Sequence, residues 1–131
     1  MHRLLFAVAL VAGCGDDPPS CITVDTSCAP LYAPTFDNVY NITIAQSCGR
    51  TDGSCHSDAG REGGMTFADE QTTYTELLSG RVVPMNPGCS KMIVRTDSPG
   101  KDYQMPPGDA LSAPERCALI QWVQAGAPGP Q

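Results

Sequence analysis

Apolar residues recur at intervals of three and four in four stretches of this chain, separated by polar, proline-rich or glycine-rich runs. In the first stretch Phe36, Val39, Tyr40 and Ile44 follow Thr35, a residue type suited to cap a helix, and the run stops at Cys48-Gly49. The second lies near 69–79, where Tyr74, Leu77 and Leu78 make one apolar face and Gly80 is placed to end it. Ser90 is positioned to cap a short helix over 91–95. The last stretch opens on Ser112-Ala113-Pro114-Glu115, a capping box in which serine and glutamate serve each other's free amides. It continues through Cys117, Leu119, Ile120, Trp122 and Val123 and closes at Gly126 and Pro128. These elements predict an all-α fold of about four short helices joined by long loops, with the first and last helices packed together.

The segments between them read as loop. Residues 53–64 hold four glycines, Pro84 pushes Val83 away from helical angles, and 96–110 is a proline- and glycine-rich run containing Met105-Pro106-Pro107. Residues 14–34, rich in Asp, Pro and Ser without a sustained apolar period, read as a tether leading into a domain over 35–128.

The first residues change where the chain is expected to live. A short basic start is followed by the apolar run 4–13, too short to span a bilayer and suited to a secretory signal. That run ends Val11-Ala12-Gly13-Cys14, which resembles the lipobox of bacterial lipoproteins, so cleavage is expected before Cys14 and lipid on it. The protein is then expected to be exported to the periplasm or cell surface and held to a bacterial membrane through Cys14 alone. Without Arg3 the mature chain has seven basic and fourteen acidic residues, a net charge of −7. Such a balance argues against nucleic-acid binding and is compatible with a basic redox partner.

Export also bears on the cysteines. With Cys14 acylated, six remain: Cys21, Cys28, Cys48, Cys55, Cys89 and Cys117. An even number in an oxidising compartment leaves two main divisions: three disulfides, or two disulfides with Cys48 and Cys55 reserved for a cofactor. Proximity favours Cys21 with Cys28 and, as remainder, Cys89 with Cys117. A thiolate zinc site lacks a second histidine. Once the signal is set aside His56 is the only histidine, and it directly follows Cys55. A Cys-His pair with a second cysteine upstream is how a c-type haem is attached, thiols to porphyrin and imidazole to iron. The small apolar complement of the domain, with few aromatics, also calls for a staple such as disulfides or a large cofactor. No Gly-x-Ser-x-Gly or metalloprotease pattern points to hydrolysis.

Taken together, Cys48…Cys55-His56 after the first helix, the Gly63-Gly64-Met65-Thr66-Phe67 turn, the short helix from Ser90, Met105-Pro106-Pro107 and the closing run from Leu111 to Ala127 resemble the small monohaem cytochrome c domains of bacterial exported proteins. The resemblance implies one haem c on Cys48 and Cys55, His56 as proximal iron ligand and Met105 as distal ligand, with Met65, Met85 and Met92 as lesser candidates. It implies electron transfer to a redox protein and no catalysis, since both axial positions are filled. The sequence departs from the family at its most specific point: six residues separate the two cysteines where the haem motif has two, so four additional residues must loop out. The same two sulfurs either hold a haem or hold each other. In the second case the chain is a haem-free, disulfide-stapled lipoprotein serving a structural or partner-binding role.

Overall fold

The computed structural model describes residues 17–49 and 55–131, so the expected signal over 1–13 and the lipidation site Cys14 lie outside the described residues. Helices and turns make up the regular structure, with no strand among the described residues, in agreement with the all-α expectation. Helix α1 is composite, running through Phe36–Asn38, Val39–Ile44 and Ala45–Ser47. It is followed by α2 (Glu70–Leu78), α3 (Lys91–Thr96) and α4 (Ala113–Gln124). Two 3-10 turns, Glu62–Gly64 and Pro87–Cys89, punctuate the connections.

Local chemistry sets each helix. Thr35 Oγ1 accepts from the amide of Asn38 to open α1, and Asp69 accepts from Thr72 to open α2. The capping box at Ser112 is complete: its Oγ accepts from Glu115 N, and Glu115 Oε2 accepts from Ser112 N. The expectation for Ser90 holds only in position. It precedes α3, but its hydroxyl is buried and turned into the loop, accepting from Val83 N at 2.8 Å and donating to Asn86 O at 2.9 Å. A hydroxyl with no access to water takes the partners that enclose it, and here these belong to the preceding loop.

The central part of α1, Val39–Ile44, is a π-helix, which the apolar spacing does not distinguish from an ordinary helix. Val39, Thr43 and Ile44 are its buried residues. At the end of α1 the Ile44 carbonyl accepts from both Cys48 N (2.8 Å) and Gly49 N (2.9 Å), which halts the helix.

The first and last helices do pack together. Phe36 and Trp122 stand with ring centroids 5.1 Å apart, and Tyr74 of α2 meets Phe36 edge-on at 5.1 Å. Trp122 Nε1 donates to Pro128 O and Tyr74 OH to Ala127 O, so the polar ends of both rings bind the tail after α4.

The expected disulfides Cys21–Cys28 and Cys89–Cys117 are replaced by Cys21–Cys89 and Cys28–Cys117, separated by 68 and 89 residues. The segment before α1 does not close on itself. It lies along the rest of the molecule as a strap: Ile22 N donates to Gly88 O, Leu31 N to Pro114 O, and Gln121 Nε2 to Cys28 O. These contacts carry Cys21 to the turn before α3 and Cys28 to α4. Proximity along the sequence misled because strap backbone bonds, rather than chain length, decide which sulfurs meet. On the loop-entropy account each long-range bond contributes on the order of 4 kcal/mol, against about 2 for a seven-residue loop.

Candidate functional site

Cys48, Cys55, His56 and Met105 all border a single cavity of about 520 Å³, bounded elsewhere by apolar side chains that include Ile44, Phe67, Leu77 and Leu119. The end of α1 supplies Cys48, the segment after it Cys55 and His56, and the loop after α3 Met105. Two parts of the chain distant in sequence, the Cys48 to His56 segment and the Met105 loop, therefore face the same space.

The wall carrying His56 is built from backbone bonds. His56 N donates to Cys48 O at 3.1 Å, Glu62 N to Cys55 O at 3.0 Å, and Phe67 N to His56 O at 2.6 Å. The chain leaving Cys48 thus returns beside it at His56. Phe67 packs its ring 4.9 Å from the imidazole. Gly49 is required in this corner, since a Cβ there would meet Phe67 O at 2.7 Å and Phe67 Cβ at 2.8 Å.

His56 Nδ1 lies 2.8 Å from Glu62 O. A carbonyl only accepts, so Nδ1 carries the proton and Nε2 is left as the lone-pair nitrogen. Burial lowers the pKa of His56 below the ordinary imidazole value, partly opposed by the Glu62 carbonyl. A neutral, oriented imidazole is the form that binds a metal. The turn behind it is latched by Arg81, whose guanidinium donates to Gly63 O at 3.4 Å and pairs with Glu76 at 3.7 Å.

Cys48 and Cys55 are free thiols. Burial pushes the Cys48 thiol up to about 12, with the charges of Cys55 and Glu115 acting in the same direction. Cys48 is therefore held as a neutral thiol throughout the ordinary pH range.

The methionines separate by position. Met65 also borders the cavity, and its amide donates to the Glu62 carbonyl that partners His56 Nδ1. Met85 is 70% exposed and does not border the cavity. Met92, on α3, and Met105, whose amide donates to Arg95 O at 3.0 Å, border the cavity from parts of the chain distant in sequence from His56.

One feature escaped sequence reasoning. Arg81, Lys91 and Arg95, three of the eight basic residues in an acidic chain, border the same cavity. The signal available was the i, i+4 spacing of Lys91 and Arg95 around Met92, which a net-charge count hides. Among the described residues no three His, Cys, Asp or Glu side chains gather as a metal cluster, and no helix is long and apolar enough to cross a membrane. No protein-family model matches the chain, and neither a curated protein nor a solved structure matches it.

Proposed function

We propose that the chain is an exported c-type cytochrome-like electron carrier, anchored to a bacterial membrane by lipid on Cys14. Cys48 and Cys55 would hold the porphyrin covalently, and His56, as proximal ligand, and Met105, as distal ligand, would hold its iron. The bound haem supplies one-electron exchange between Fe(III) and Fe(II), and an imidazole–thioether pair raises its potential. With His56 and Met105 both holding the iron, the group would have no place for a substrate, and the chain would act as a carrier passing electrons to a redox protein rather than as an enzyme. The acidic surface suits a basic partner and disfavours nucleic acid.

The observation that carries this reading is the meeting of Cys48, Cys55, His56 and Met105 on one cavity. Its volume lies in the range of organic ligand sites and its walls are mostly apolar. Attachment needs two reduced thiols and a neutral imidazole, and these residues stand in those states.

One observation favours the haem-free alternative: the Phe36, Tyr74 and Trp122 cluster and two disulfides already tie strap and end helices together. Expression in an export host that performs cytochrome c maturation, followed by denaturation, separates the two. The cytochrome reading expects a haem absorption band that stays with the polypeptide. A colourless protein whose mass corresponds to three disulfides overturns it. In the same host Cys14→Ser is expected to move the protein from the membrane to the soluble fraction.

A further inference from the structure

We infer that Lys91 and Arg95 form a carboxylate-binding edge of the cavity, which receives the two propionates of haem and fixes the direction in which the ring enters. The inference rests on the haem reading above and extends it to residues that the cysteine, histidine and methionine pattern does not include.

Lys91 and Arg95 lie four residues apart on α3 and both border the cavity. Neither has an acidic partner: among the described residues the ion pairs are Arg61–Asp58, Arg81–Glu76 and Arg116–Asp97. Arg81, the third cation on the cavity, is already committed to Glu76 and to the carbonyls of Glu76, Ser79 and Gly63. Arg95 makes one contact, from Nη1 to Tyr103 O at 3.4 Å, which leaves most of its donors available. Two uncommitted cations on the rim of an apolar cavity, in a chain of net charge −6, form an anion-recognising arrangement.

The remaining walls limit what kind of anion fits. The cavity is too large and too apolar for a small inorganic ion, so the ligand is an amphiphile with a charged edge and an apolar body. Haem is such a molecule: two carboxylates on one edge, vinyl groups on another. Lys91 is exposed and Arg95 partly so, which sets the carboxylates at the mouth where their hydration is least disturbed. The main chain of Arg95 accepts from Met105 N, so the same residue ties the carboxylate edge to the loop of the distal ligand. Ring entry with carboxylates toward α3 then leaves another edge for Cys48 and Cys55.

The test uses the full chain carrying Cys48→Ser and Cys55→Ser, produced with its disulfides intact, so that binding is reversible. Iron(III) protoporphyrin and its dimethyl ester are titrated from the same micelles and followed by the shift of the porphyrin absorption band. The free diacid is expected to bind about tenfold more tightly than the diester, the effect of a partly exposed charge-assisted contact. Adding Lys91→Met and Arg95→Met should abolish that preference, while Lys101→Met, away from the cavity, should preserve it. Circular dichroism confirms that each variant is folded. Equal binding of diacid and diester overturns the carboxylate edge and leaves the haem reading standing. A preference that survives the double substitution overturns the assignment to these residues. If neither porphyrin binds, this inference falls, while the haem reading stands or falls separately on the covalently retained band in the matured protein with both cysteines.

Discussion

The amide of His56 donates to the carbonyl of Cys48 at 3.1 Å, closing the chain on itself between the first thiol and the imidazole. Cysteine spacing therefore matters less to His56 than its formal length implies. The His56 backbone is held by the Cys48 carbonyl and its ring by the Glu62 carbonyl and the Phe67 ring, none of which belongs to residues 50–54.

That corner depends on Gly49. Gly49→Ala places a methyl 2.7 Å from Phe67 O and 2.8 Å from Phe67 Cβ, and neither atom is the free end of a flexible chain. Overpacking of this kind is expected to cost about 1–3 kcal/mol, read as a lower urea midpoint. Covalent haem content is expected to fall as well, because Phe67 supports His56.

Met105→Ala in the haem-loaded protein is expected to remove the weak sulfur-to-iron band near the red end of the visible spectrum and to lower the reduction potential. Met65→Ala should leave the band in place, since the Met65 backbone is tied to the same Glu62 carbonyl that orients the proximal imidazole. A band lost in Met92→Ala but kept in Met105→Ala assigns the distal position to α3.

Cys28→Ser with Cys117→Ser opens a bond spanning 89 residues. The expected loss is on the order of 4 kcal/mol in a denaturant titration under oxidising conditions. Limited proteolysis should then cut first within the strap, which loses its covalent hold on α4.

The Cys48 thiol gives a pH signature in the protein without cofactor. Its value rises from an ordinary 9.0 to about 12 on folding, so the folded state retains a proton that the unfolded chain releases. Stability is therefore full below about 9 and falls as pH rises from there toward about 12. Cys48→Ala should flatten that alkaline loss. Alkylation of Cys48, followed by mass spectrometry, should keep accelerating with pH toward about 12 instead of levelling off in the ordinary thiol range.

Much of this was legible in the sequence because local chemistry decided it. Thr35, Asp69 and Ser112 open helices through bonds to amides three residues on, and those bonds need nothing from the rest of the fold. The packing of Phe36 on Trp122 was also readable, as the two most apolar helix faces had to meet. What was not legible depends on contacts between distant segments. The disulfide partners follow from where Ile22 and Leu31 dock, the turn of Ser90 Oγ from the loop that encloses it, and the basic edge from α3 presenting Lys91 and Arg95 to the cavity. The π turn of α1 is local but leaves the apolar spacing unchanged, so pattern alone passes over it.

The two disulfides interleave, each joining the strap to the last third of the chain. Synthesis from the N-terminus therefore presents Cys21 and Cys28, then Cys48 and Cys55, before either native partner exists. During that interval five thiols, Cys14 among them, share one unfinished chain, and every bond available to Cys21 and Cys28 is a wrong one. A ligand that captures Cys48 and Cys55 covalently in this window does more than fill a cavity: it removes two decoys and leaves Cys21 and Cys28 to wait for Cys89 and Cys117. Loading and correct oxidation would then be a single assembly problem, in which the order of events matters as much as the final contacts.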